Sequence, residues 1–149
     1  MKIFAFALII ICVATIVCLD FLSQGHASQT QLPALGQTNF PRDAWAFEGY
    51  TNPACALESA LWAWGAGNLN QFQNSLSPEA QQREHQHLQQ TTSADMVHEF
   101  RNVTGYEIVR QQLASDDSVL LHFHADGVNA DKDARLIKVG NEWKLAAIP

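Results

Sequence analysis

The sequence predicts an α+β fold, with three to four helices packed on one face of a curved antiparallel sheet of about four strands, preceded by an N-terminal apolar leader helix. Three observations carry that expectation. The stretch 52–68 has a cap, a helical apolar stripe and a glycine stop. Beyond Gly105 the apolar residues switch to the two-residue period of strands. Every helical segment precedes every strand segment.

The leader comes first. Residues 3–19 carry no charge and, as a helix, would reach roughly 25 Å, a little short of a hydrocarbon core but extendable to Leu22 with tilt. They therefore read as a signal peptide or as an uncleaved anchor, and the small residues Gly25 and Ala27 keep cleavage after Ala27 open. Lys2 is the only positive charge ahead of this run and Arg42 is the next, which places the rest of the chain outside the cytoplasm. The expected organisation is a signal peptide or signal anchor over 1–22, a polar linker over 23–44 rich in Gln, Ser, Thr, Gly and Pro, and a folded domain over 45–149. The expected location is the cell envelope, either periplasmic or secreted, or held on the inner membrane by the leader.

The 149 residues, 47% hydrophobic, suffice for one domain with a core. Removing residues 1–27 takes away one base, Lys2, and one acid, Asp20, so the formal charge stays at −6. An acidic domain with scattered bases and no basic cluster is a poor match for nucleic acid or anionic lipid. Cys12 and Cys18 lie in the leader, which leaves Cys55 alone in the domain and unable to form an internal disulfide. Cys55 reads as a small apolar residue rather than a nucleophile.

Within the domain, Trp45 and Phe47 are two apart, as on an extended arm that covers one edge of the core. Thr51 or Asn52 caps a helix that opens on Pro53, and Gly65 and Gly67 end it. Ala54, Leu57, Leu61 and Trp64 form its stripe, while Trp62 points to the side. Leu69, Phe72 and Leu76 give a second short helix. Ser77, Pro78 and Glu79 start a polar third in which only Ala80 and Leu88 can pack. Thr92 with Asp95 resembles another capped start leading to Met96, Phe100 and Val103, so 78–103 is either one bent helix or two. Strands are expected over 106–113, 118–125, 134–139 and 142–148, with a longer loop over 127–133. Val119, Leu121 and Phe123 alternate onto one face, as do Trp143, Leu145 and Ala147, and that face should receive the helices.

Five segments together carry a resemblance. They run from Trp45 to Pro53, from Ala56 to Ala63, through Gly67 and Asn68, from Leu76 to Glu79, and from Val139 through Gly140, Asn141, Glu142, Trp143 and Lys144 to Leu145. Over 45–149 the chain resembles uncharacterised exported bacterial proteins of nuclear-transport-factor-2-like (NTF2-like; SnoaL-like, cystatin-like) fold. That superfamily contains isomerases, dehydratases and cyclases beside members with no known catalysis. The resemblance therefore implies a fold and carries over no catalytic residue.

The sharpest local chemistry is His122, His124 and Asp126, which alternate onto one side of a strand. Two imidazoles about 6 to 7 Å apart on a strand can share a metal ion, given a third ligand, or act with Asp126 as an acid–base pair. The plainer reading is three solvent-facing residues of a half-buried strand. His85 and His87 diverge on their helix and cannot chelate together. No phosphate-binding glycine loop, serine elbow or paired cysteines occur. No metal and no cofactor is expected.

The expected role is thus a non-catalytic module that binds a partner protein or a small apolar ligand, with a homodimer through the sheet and membrane contact through residues 3–22 among its associations. The alternative is a small pocket enzyme of lyase or isomerase type using His122, His124 and Asp126.

Overall fold

In the computed structural model, which describes residues 39–147, a helix buried on almost every side organises the rest. This is α1, Pro53–Gly65. The Asn52 side chain accepts from the Cys55 N–H at 2.9 Å, and Pro53 fills a first-turn position where no N–H is needed. Leu57, Leu61 and Trp64 are buried as their spacing predicts, and α1 packs on β3 and β5. Ala56, Ala60 and Ala63 are buried too, as small side chains that let neighbouring backbone approach the other flanks. Ser59 is also buried. Its Oγ accepts from Glu48 N–H and donates to Gly49 C=O, tying the segment before α1 to the helix. Trp62 is half-buried, with its ring 6.2 Å from that of Phe47 on the arm.

The remaining helices follow the sequence signals closely. Asn68 caps α2 (Leu69–Ser75), which buries Phe72, and Leu76 after it is buried and bridges to Leu145. Ser77 caps α3 (Pro78–Gln90), of which only Ala80 and Leu88 are buried. Thr92 and Asp95 form a capping box at the start of α4 (Ser93–Glu99). The stretch 78–103 is thus two helices, because Thr91 and Thr92 take extended backbone between them. No helix among the described residues is long and apolar enough to cross a membrane, and the leader lies outside them.

The sheet is a five-stranded antiparallel meander in the order β1 (Asn39–Pro41), β2 (Gly105–Ser115), β3 (Ser118–Asp126), β4 (Ala130–Val139) and β5 (Glu142–Leu145). Register irregularities between Ile108 and Arg110 and between Leu113 and Ser115 interrupt the β2–β3 ladder, and such bulges bend the bulged strand and curl the sheet. Val119, Leu121 and Phe123 face the helices.

Three sequence expectations need correction. Among the described residues the strands number five, because β1, placed by sequence in the linker, pairs with the edge of β2 and stacks Phe40 on Tyr106 with ring centroids 4.8 Å apart. A polar composition hid a single aromatic anchor. Arg42, also placed in the linker, donates to Phe100 C=O, Val103 C=O and Gly65 C=O. The Phe100 and Gly65 carbonyls lie at the ends of α4 and α1, where the helix dipole favours a cation. The loop over 127–133 is only a short turn, since Gly127 (φ 83°) and Asn129 (φ 50°) reverse the chain and β4 begins at Ala130. Finally, β5 stops at Leu145, and Ala147 is exposed rather than facing the core; residue 148 lies outside the described residues.

Candidate functional site

Two faces of the sheet offer two kinds of chemistry. On the helix side, a cavity of about 280 Å³ lies between α1 and the sheet. Ala60, Leu61 and Trp64 of α1 and Phe72 of α2 form one wall, while Tyr106, Phe123, Ala125 and Leu145 form the sheet wall. Trp45 of the arm and Phe100 and Val103 after α4 complete it, and the exposed residues Glu99, Val128 and Lys132 mark its rim. The aromatic rings brace one another. Trp64 meets Phe72 edge-on at 4.4 Å, Trp45 lies 5.6 Å from Tyr106, and Tyr106 meets Phe123 at 6.0 Å.

Two atoms on residues of that wall are unusual. Trp64 Nε1 and Tyr106 OH are buried and reached by no hydrogen-bonding group among the described residues, although their residues are only 4% and 0% exposed. A buried donor without an acceptor loses its solvation with no return, so each such atom calls for an explanation. Burial, and after it the charge of Glu58, hold the Tyr106 phenol well above its ordinary range, so it remains a donor. Glu58 is itself nearly buried on α1. Desolvation, and then Glu48, raise its pKa against the lowering effect of the Ala46 backbone.

The residues singled out by sequence stand on the other face. His122 and His124 lie on β3 opposite Asp133 and Asp131 of β4. His122 Nδ1 bonds Asp133, and His124 Nδ1 bonds Asp131 at 2.7 Å. Asp126 bonds neither ring, so the expected pairing within β3 is replaced by pairing across strands. Side chains two apart on a strand stand side by side, whereas directly opposed residues touch. The sequence masked these partners because 131 and 133 fell in the supposed loop.

Arg110 Nη2 donates to His122 Nε2 at 2.9 Å. A guanidinium only donates, so Nε2 accepts, the proton sits on Nδ1, and His122 is a neutral link between Arg110 and Asp133. Both of its nitrogens are engaged, which leaves none to serve as a base. Among the described residues no group of three or more His, Cys, Asp or Glu is placed to hold a metal ion. None of His122, His124 and Asp126 lines the cavity.

His124 differs, because no partner among the described residues engages its Nε2. The hydrogen bond to Asp131 raises its pKa, partial burial lowers it, and the charges of Asp131, Asp126 and Glu107 raise it further. With the folded pKa above the unfolded value of about 6.5, the stabilisation it contributes is complete below the unfolded pKa and fades as pH rises through the folded one. In an NMR titration the His124 ring protons should therefore move with a midpoint above that of a free histidine. Asp131→Asn should bring the midpoint back down. An unshifted midpoint in the unsubstituted chain would contradict the pairing.

No protein-family model matches the chain, and no curated protein does. Among solved structures it is similar to a DUF4783 family protein from Bacteroides ovatus, at 16% identity and a TM-score of 0.42, with 66% of this chain and 93% of that one covered.

Proposed function

We propose that the chain is a non-catalytic binding module of the cell envelope, of NTF2-like fold, exported or anchored through its apolar leader, and that it holds a small apolar ligand between α1 and the sheet. The cavity carries this reading. Its walls are aromatic and aliphatic, its rim carries the charged Glu99 and Lys132 beside Val128, and its size sits near the lower bound of about 300 Å³ for ligand pockets. The alternative enzyme built on His122, His124 and Asp126 has no support from the cavity, which contains none of them.

The test is calorimetric titration of the full chain in lipid nanodiscs with naphthalene, against empty nanodiscs. Saturable binding of one molecule per chain with a negative heat-capacity change is expected. Ala125→Phe, which fills the cavity from the sheet wall, should abolish binding while the circular dichroism spectrum is kept. Absence of saturable binding, or binding unchanged by that substitution, would refute the reading.

A further inference from the structure

We infer that the ligand carries one anionic end, a carboxylate in the simplest case, on its apolar body, and that Lys132 at the cavity rim receives it. This rests on the cavity reading above and names the class of ligand that the same cavity takes. Lys132 stands directly opposite Phe123 in the β3–β4 ladder. Opposed residues of an antiparallel pair project from the same face of a sheet. Lys132 therefore shares the helix side with a ring of the cavity wall, and it lines the cavity itself. Its sequence neighbours Asp131 and Asp133 project from the other face, where His124 and His122 hold them.

Charge decides the sign. The chain has 15 acids and 9 bases, so an acid without a partner belongs to the ordinary surplus, whereas a base without one is the exception. Arg42, Arg83, Arg101, Arg110, Arg135 and Lys144 each hold an acceptor. The Lys132 side chain holds none among the described residues; that of Lys138 holds none either, but it lies near the other end of β4 and does not line the cavity. A lysine can lay its four-carbon stem along apolar surface and keep its ammonium at the water boundary. That suits an amphiphile whose body fills the cavity and whose charged end stays at the rim, where an anion keeps part of its hydration. Glu99, the other charged residue of the lining, disfavours a second negative charge. An apolar cavity of roughly 150 Å³ holds benzene, so about 280 Å³ suits a body of two fused rings.

Three probes of one shape decide it in the same titration, with nanodiscs of phosphatidylcholine. 2-Naphthoate, 2-naphthamide and 2-naphthamidine carry a negative charge, no charge and a positive charge. Naphthoate should bind about fivefold more tightly than naphthamide, the ratio expected for one partly exposed ion pair, and naphthamidine no more tightly than naphthamide. Raising sodium chloride from about 20 mM to about 500 mM should shrink that ratio, since salt screens an exposed pair. Lys132→Met keeps most of the stem and removes the charge, so naphthoate should fall to the affinity of naphthamide. Lys132→Arg should keep the preference. Lys132 is exposed and its side chain holds no partner, so both variants should fold.

Equal binding of naphthoate and naphthamide, or tightest binding of naphthamidine, would overturn the proposal and leave the apolar cavity standing. A preference for naphthoate that survives Lys132→Met would overturn it as well. Binding of naphthalene but of none of the three probes would also sink the proposal alone, whereas loss of naphthalene binding too would bring down the cavity reading itself.

Discussion

Gly127→Ala should remove about 3 to 4 kcal/mol of stability, enough to lower the melting temperature by roughly 15 °C or more for a domain of this size. Two independent penalties meet at this position. The backbone is left-handed, with φ 83°, a conformation that costs a residue bearing a Cβ roughly 1 to 2 kcal/mol. The added Cβ would also stand 2.1 Å from Asn102 C=O and 3.1 Å from Thr104 N. Neither is a flexible side-chain end. Thr104 N–H donates to Asp126 C=O at 3.0 Å, so the opposing backbone is pinned to the strand that the glycine ends. Gly140 supplies the control, since its φ is 63° and a Cβ there meets nothing within 4 Å. Gly140→Ala should show only the conformational penalty. Denaturant unfolding of both variants separates the two effects, and equal losses would refute the contact argument.

Leu57→Ala should cost about 3 to 4 kcal/mol, within the range for burying a new hole beneath a leucine. Leu57 is fully buried and lies away from the cavity, so its neighbours touch it on all sides. Leu61, one turn on, forms part of the cavity wall and already has open space on one side. Its truncation gives up fewer contacts, and Leu61→Ala should cost about 2 kcal/mol. Chemical denaturation gives the comparison directly. If Leu61 proved the more costly of the two, the cavity would not lie beside Leu61.

Much of this layout could be read from residue order. Asn52, Ser77 and Thr92 are caps whose oxygen and following residues announce a helix locally, and all three cap helices in the structure. The core face of β3 was likewise visible in the alternation of Val119, Leu121 and Phe123. What stayed hidden depends on contacts distant in sequence. Phe40 looks like one aromatic in a polar stretch until Tyr106 is beneath it. Asp131 and Asp133 look like loop acids until the Gly127 and Asn129 turn brings them opposite His124 and His122. The cavity was the least legible feature, since Trp64 and Tyr106 read as ordinary core residues. Only the missing acceptors distinguish them, and an absence of partners is not written in a sequence.

The extra residue in β2 decides which chemistry lies on which side of the sheet. Tyr106 and Ile108 point towards the helices, and Val109 stands 65% exposed at the irregularity. After it the alternation resumes with opposite parity, so that Arg110 opposes His122. Were Val109 paired as a regular strand residue, it would stand opposite His122 and the inward positions would continue as 110 and 112. A guanidinium would then be directed at the same apolar interior that Tyr106 and Phe123 enclose. Leaving Val109 unpaired in a bulge therefore keeps the cavity free of a buried cation and gives His122 the donor that fixes its tautomer.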